Sequence, residues 1–292
     1  MLVKRSYGDK IFDIINVGLM LFVVVITVYP MLYVLFASIS EPMQLMSHTG
    51  LILKPLGFSL KGYKLVLANP NIVIGYRNTL FYVIVGTSIN LFLTILGAFI
   101  LSRKKYLLKK FFMIMVIITM YFSGGIVPRY LLISNIGMLN TIWALLLPNA
   151  ISTWNLIIMR TSFLTIPAEI EESTKIDGAN DIVLLFRIIV PLSIPVIAVI
   201  ALFYSVNHWN AWFDAMIYIR NRKIYPLQLF LREILIQDNT VDMTSVAMMD
   251  DFYVRELVKY CTIIVATVPI LCVYPFLQRY FIKGIMVGAL KG

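Results

Sequence analysis

The chain has 292 residues, 60% of them hydrophobic and only 14% charged, with a formal net charge of +10 and a mean hydropathy of +0.87. Soluble globular domains carry roughly a quarter charged residues, so this composition excludes an ordinary soluble domain and predicts a polytopic membrane protein. The positive excess then reads as loop charge that anchors a membrane protein on its inner side, not as a nucleic-acid surface.

In chain order, the polar start with Lys4, Arg5 and Lys10 lacks a small-residue cleavage site, so the first apolar run is expected to be a retained helix and not a signal peptide. Six apolar windows follow, at about 14–40, 78–102, 111–128, 138–160, 188–208 and 260–280. Each reaches or approaches the roughly 20 residues an α-helix needs to cross about 30 Å of hydrocarbon. The runs do not alternate apolar with polar residues, which excludes barrel strands. The expected fold is one all-α transmembrane domain over 1–292, with six spans.

The connections set the orientation. Glu41 to Tyr76, with Pro42, Pro55 and Pro70, is expected to be an irregular external loop holding a short helix near Ser59 to Ala68. The short basic loop with Arg103, Lys104, Lys105, Lys109 and Lys110 belongs in the cytoplasm by the positive-inside tendency. That choice puts both termini inside, with Lys283 and Lys291. The stretch from Arg220 to Lys259, which carries as many acids as bases (Glu233, Asp238, Asp242, Asp250, Asp251 and Glu256), becomes a mixed external face.

Enzymatic chemistry finds little support. His48 and His208 are the two histidines and form no metal-ligand spacing. Ser205 and His208 are i,i+3 neighbours but lack an orienting third group and a Gly-rich nucleophile turn. No P-loop ending in Gly-Lys-Ser or Gly-Lys-Thr is present, so no cofactor is expected on this chain, nor any metal site or catalytic residue. Cys261 and Cys272 are eleven residues apart, about 16 Å along one helix, too far to bond. No window carries an acidic or basic residue at its middle, where ion-coupled transporters keep theirs. The driving energy is therefore expected to arrive from a partner at the cytoplasmic face.

One loop fits such a partner. From Glu41 to Glu169 there is no acidic residue between the two, and then Glu169, Glu171, Glu172, Asp177 and Asp181 fall close together. Pro167 suits a helix start, and the carboxylates that follow suit the positive end of its dipole. Gly178 is the residue type that ends a helix in a left-handed conformation, and Asn180 or Asp181 can cap the next one. Glu171 and Lys175 are spaced to pair across one turn on the exposed side. Asp177 is either a partner contact or a local cap.

Spacing makes the loop specific. Glu172 is followed by Ser173 and Thr174, by Gly178 after three residues, by Ile188 after nine, and then by Val190 and Pro191. This resembles the EAA loop of the membrane subunits of bacterial binding-protein-dependent ABC importers: Glu-Ala-Ala, three residues, Gly, nine residues, Ile, one residue, Leu-Pro. Ser and Thr stand for the two Ala, and Val for Leu. The segments Arg77-Asn78-Thr79, Gly97 to Arg103, Asn135 to Thr141, Trp209-Asn210 and Lys283-Gly284 with Gly288 to Gly292 further resemble carbohydrate permeases similar to the smaller membrane subunit of maltose-type systems. Ser123 to Pro128 is similar to the branch associated with complex oligosaccharides.

The resemblance implies a type I ABC importer permease fold in a bacterial cytoplasmic (inner) membrane. It implies a second homologous permease, two ATPase subunits that bind ATP and Mg, an extracellular or periplasmic solute-binding protein and a carbohydrate substrate. The loop 168–184 would couple to the ATPase through Glu171, Glu172, Ser173, Asp177, Gly178 and Ala179, with Ile188 and Pro191 behind them. Trp154, Asn155, Asn207, His208, Trp209 and Asn210 combine flat apolar faces with amides and an imidazole, as a sugar path requires, and aromatics at such ends also form the ordinary interfacial belt. A six-span secondary transporter or facilitator without an ATPase is the rival reading.

Overall fold

A computed structural model describes residues 7–103, 106–236 and 250–289, the side chains of 250–252 and 273–289 excepted. Lys4, Arg5, Lys104, Lys105, Asp238, Asp242 and Lys291, the side chains of Asp250, Asp251 and Lys283, and most of the Gly288 to Gly292 tail lie outside that description. The described chain is helical and contains no strand.

The helices are α1 (Tyr7–Ser38), α2 (Pro42–Ser47), α3 (Lys61–Ala68), α4 (Pro70–Ser102), α5 (Lys109–Tyr121), α6 (Ile126–Asn135), α7 (Trp143–Leu146) and α8 (Thr153–Leu164). After them come α9 (Ala168–Ile176), α10 (Asp181–Leu192), α11 (Ile194–Trp209), α12 (Phe213–Tyr218), α13 (Leu227–Ile236) and α14 (Asp250–Ala289). Among the described residues α1 and α4 are long and apolar enough to cross a membrane, and up to four spans result if each bent pair, α5 with α6 and α10 with α11, is counted as one.

Three of the expected windows are interrupted, each beside glycine, asparagine or proline residues. Window 111–128 stops as a helix at Tyr121; Gly125 then takes a φ of 82°, open to glycine without strain, and α6 leaves at 117° to α5. Window 138–160 contains only α7 and part of α8, because Gly137 and Asn140 turn left-handed at its start (φ 72° and 61°) and Pro148 lies in the break at 147–152. Window 188–208 bends by 84° at Ser193, between α10 and α11. Pro191 and Pro195 flank that residue, and each lacks an amide donor and crowds the carbonyl four positions earlier. Ile188 to Leu192 therefore continue the loop helix and do not open a straight span.

The chain divides into two compact units, Met1–Asn69 with Ile234–Thr267, and Pro70–Glu233 with Val268–Gly292. In the first, α1 and α14 are clasped by small and polar groups. The Cys261 thiol donates to the Ser38 carbonyl at 3.2 Å, and Ser38 Oγ meets Tyr63 Oη at 2.8 Å. Cys261 is buried and Cys272 exposed, and both are free thiols. The stretch 41–76 contains the expected short helix as α3, but α2 also forms in it and its last residues, from Pro70, already belong to α4.

In the second unit α4 packs along α8 and α11. Ile95, Ala98 and Phe99 of α4 meet Leu156, Met159 and Phe163 of α8, with Leu184, Leu185 and Ile189 of α10 and Ile200 of α11 closing the core. Two π-helical turns interrupt the ladders, Tyr82–Gly86 in α4 and Leu184–Ile189 in α10. The start of α4 holds the segment leading into α13: Asn78 Nδ2 donates to the carbonyls of Lys223 and Tyr225, Tyr82 Oη to that of Ile224, and Thr79 Oγ1 accepts the Leu227 amide at 2.8 Å. Gly75 permits this approach, since a Cβ there would stand 2.9 Å from Leu227 Cα.

That contact is backbone and cannot yield as a flexible side chain would. Gly75→Val is expected to destabilise the unit by about 1–3 kcal/mol, the usual range for overpacking, seen as a lower thermal midpoint of the detergent-purified protein. An unchanged midpoint would refute the close packing.

Candidate functional site

Helix α9 is built by its own sequence. Pro167 occupies the N-cap, one position before the expected first turn; Glu169 and Glu171 sit in the first turn and Lys175 in the last, matching the helix dipole at both ends. Asp177 is the C-cap. The Gly178 amide donates to the Lys175 carbonyl at 3.0 Å and the Ala179 amide to the Thr174 carbonyl at 3.1 Å. With Gly178 at a φ of 79°, this is a Schellman ending. Asn180 Oδ1 then accepts the Val183 amide at 2.9 Å and caps α10.

Among the residues expected to couple, Glu172, Ser173, Asp177 and Gly178 are exposed together on this turn, and Ala179 is half-buried beside them. Pro191 is exposed near the bend, whereas Ile188 packs partly buried against the core. Two apolar tips missed by the sequence reading flank the turn, Ile176 at 85% and Ile182 at 68% exposure.

Glu171 departs from the expectation of an exposed pair. It does bind Lys175, but its other oxygen accepts from Arg103 Nη1 at 2.9 Å, and the carboxylate turns inward. Arg103 is itself buried. Its Nη2 donates to the Phe163 carbonyl in the last turn of α8 at 3.0 Å, its Nε to Ser102 Oγ at 3.1 Å, and its guanidinium lies over the Phe99 ring. One cation thus joins the ends of α4 and α8 to the loop helix. The basic run around Arg103 reads as a membrane anchor, and nothing in the sequence pairs it with a carboxylate 68 positions away. Burial alone would raise the Glu171 carboxyl, but the hydrogen bonds from Lys175 and Arg103 outweigh it and hold the group below its ordinary value.

Further along α4, the unit holds a partly open cavity of about 620 Å³ walled by α4, the 145–152 segment, α8, α11 and α12. Of the residues assigned to a sugar path, Trp154, Asn155, Asn207 and His208 line it together. Asn210 lines a neighbouring cavity of about 530 Å³. Trp209 lines neither; it is buried, edge-on to Tyr76 at 6.2 Å. His208 is the most constrained of the set. Its Nε2 lies 2.6 Å from Asn90 Oδ1, and Asn90 Nδ2 donates to the carbonyls of Asn149 and Ala150. Because Oδ1 can only accept, Nε2 must carry the proton. Its ring fits only because residue 86 is glycine, where a Cβ would stand 2.5 Å from the imidazole.

Polar groups brought from distant positions hold this wall. Tyr204 Oη accepts the Ser152 amide at 3.0 Å and lies 2.8 Å from Thr94 Oγ1. Asp214 Oδ2 accepts from Asn149 Nδ2 at 2.7 Å and Arg129 Nη2 at 3.3 Å. Among the described residues no cluster of His, Cys, Asp and Glu could hold a metal ion.

No family model matches the chain. It is 37% identical over 286 residues to the polygalacturonan/rhamnogalacturonan transport system permease protein YtcP of Bacillus subtilis strain 168, covering 97% of this chain and 99% of that one. It is 38% identical over 288 residues to protein LplC of the same organism, covering 99% and 97%. The crystal structure of a bacterial ABC transporter involved in the import of the acidic polysaccharide alginate superposes with a TM-score of 0.87 at 29% identity, over 95% of this chain and 99% of that one.

Removing the Glu171 side chain leaves Arg103 buried with one charged partner fewer. Glu171→Ala should cost about 1.5–3 kcal/mol, the usual worth of a hydrogen bond to a charged group, and hydrogen exchange at 168–177 should accelerate. The carboxyl is lowered in the folded state, so its contribution is present above the ordinary glutamate value and is lost as pH falls through the lowered one. In the parent, exchange in α9 should therefore show no pH dependence from this group around neutral pH and rise only under acid, and equal protection in variant and parent at neutral pH would exclude the anchor.

Proposed function

Because the chain belongs to the family of permease subunits of ABC sugar importers, we propose that it forms one half of a sugar translocation path and takes its driving force through the loop 168–184. In this reading the six apolar windows are six crossings, with the bent pairs each spanning once and both termini in the cytoplasm. A second homologous permease completes the path. Two ATPase subunits bind ATP and Mg beneath it, and a solute-binding protein delivers the substrate outside. The relative named for polygalacturonan and rhamnogalacturonan supports an oligosaccharide cargo.

The observation that carries the coupling role is the build of α9. It is a helix with a locked end, an exposed polar turn and two exposed isoleucines, tied by an almost buried arginine to the ends of two core helices. Large apolar side chains exposed on a polar turn are the usual anchors of a protein partner, filling a groove while polar neighbours form the rim. Ile176 and Ile182 would fill the ATPase groove, with Glu172, Ser173 and Asp177 around them. When the ATPases close on ATP they draw α9 with them. Arg103 passes that displacement to α4 and α8, two of the four walls of the cavity. A charge-assisted clasp suits this task better than a flexible linker, because guanidinium and carboxylate hold distance and direction together.

Mild-detergent purification of the tagged protein is expected to bring down an ATP-hydrolysing subunit and a second permease; recovery of neither would end the importer reading. Within the assembled complex, Ile176→Asp should weaken ATPase retention by about tenfold or more, as loss of a hot-spot contact does. Gly178→Val should cost about 1–2 kcal/mol for a left-handed turn and abolish sugar-stimulated ATP hydrolysis. Unchanged assembly and unchanged stimulation in the Gly178 variant would remove the coupling role from this loop.

A further inference from the structure

The Arg103 clasp holds one of the two helices of 168–184, α9, through Glu171. Between α9 and α10 the chain turns at Gly178, whose φ is 79° and around which space is open, with nothing within 4 Å of the place a Cβ would take. The bonds that shape this turn lie within the loop: the Gly178 amide to the Lys175 carbonyl, that of Ala179 to Thr174, and that of Val183 to the Asn180 side chain. Helix α10 joins the core one turn later, through Leu184, Leu185 and Ile189. Its first turn, 181–183, buries no residue and carries the exposed Ile182.

A second contact reaches that turn. Among the described residues, the hydrogen bond that enters 181–183 from outside the loop runs from Tyr106 Oη to Asp181 Oδ2 at 3.4 Å. It is long for a hydroxyl donor, and the charge on its acceptor strengthens it. Burial, the Asp181 carboxylate and the hydrogen bond to it raise the Tyr106 hydroxyl above its ordinary value, so the group stays a donor at neutral pH. Lys175 belongs to the same cluster: its bond to Glu171 is the main reason it holds its proton more tightly than usual, and Asp181 adds to the effect. Arg103 and Tyr106 are three residues apart, at most about 11 Å of extended chain. Lys109 Nζ closes this loop by donating to the Arg103 carbonyl at 3.4 Å. One short piece of chain between α4 and α5 therefore grips both helices of 168–184.

A contact at one end fixes a point and leaves rotation about it. With Arg103 alone, α9 would follow a partner while the turn at Gly178 flexed and α10 lagged. With a contact on each helix, α9 and α10 keep their relative direction, and Ile176 and Ile182 keep their separation. We propose that Tyr106 is a positioning residue for coupling: with Arg103 it makes a two-point brace that carries α9 and α10 as one body and passes their displacement into the start of α5. The inference rests on the coupling role given to 168–184 above.

Hydrogen exchange on the purified complex of both permeases and the ATPases, with and without ATP, Mg and vanadate, tests the brace. In the parent, nucleotide is expected to change exchange at 168–176, at 181–187 and at 109–115 together. In Tyr106→Phe, which removes one hydroxyl, the response at 168–176 should persist while those at 181–187 and 109–115 fall about threefold or more, the usual worth of one hydrogen bond. The KM for ATP should keep its parent value, because in this reading the nucleotide site is on another chain. Asp181→Ala should reproduce the split, and adding Tyr106→Phe to it should change nothing further, as for two groups that act through one contact. Asp181→Ala also carries the test if Tyr106→Phe does not assemble. A parent-like response at 181–187 in Tyr106→Phe, equal loss at all three segments, or effects of the two substitutions that add would each overturn the proposal. A parent complex whose 168–184 segment does not respond to nucleotide would instead overturn the coupling reading, so the two failures are distinct.

Discussion

An irregular stretch of backbone in a membrane protein survives only where other parts of the protein satisfy its amides and carbonyls, because hydrocarbon offers no partners. The segment 147–152 depends on this constraint, and the cavity depends on the segment. Asn90 holds the carbonyls of residues 149 and 150, Tyr204 holds the amide of residue 152, and His208 fixes Asn90 from the other side. Asn149, Ile151 and Ser152 of this segment line the cavity directly. Gly86 belongs to the same device, since the His208 ring occupies the space a side chain there would need.

The α9 end of the unit obeys a related rule for charge. A buried guanidinium is tolerated when its donors are matched, and Arg103 has a carboxylate, a helix-end carbonyl and a hydroxyl within hydrogen-bond distance. The Phe163 carbonyl lies in the last turn of α8, where the helix dipole favours a cation. Arg160 repeats the arrangement one turn earlier by donating to the Leu101 carbonyl at 3.0 Å. Two arginines therefore stitch the ends of α4 and α8 together, and only Arg103 extends the stitch to α9. Contacts of this kind resist both stretching and rotation between α9 and the core helices, and the turn around Gly178 stays exposed.

Several segments noticed for their resemblance to carbohydrate permeases prove to be clasps. Asn78 and Thr79 hold the backbone of residues 223–227. Asn140, left-handed at a φ of 61°, accepts the amides of Arg220 and Asn221 on its side chain and donates its own amide to the Tyr218 carbonyl. Trp209 packs on Tyr76 beside the cavity and not in it. These residues secure loops that carry polar backbone between apolar helices, a requirement of any protein of this class whatever its cargo.

Much was legible in the sequence. Composition and window length dictate a helical membrane protein, because uncharged runs of that length have no other solution in water or lipid. The loop helix, its glycine ending and the cap of the next helix were legible as well, since each is set by residues within five positions of one another. What local pattern could not supply was the interruption of three windows and the inward turn of Glu171. A bend such as that at Ser193 is marked by Pro191 and Pro195, but whether proline kinks a helix or ends it depends on what satisfies the freed backbone, and those partners lie elsewhere in the chain. The Arg103–Glu171 link, the Asn90–His208 pair and the Arg129–Asn149–Asp214 brace join positions 68, 118 and up to 85 residues apart. Sequence by itself determined the class, the loop and its local geometry; the tertiary structure alone decided which polar side chains meet, because contact between distant residues is fixed by helix packing and leaves no periodic trace in the chain.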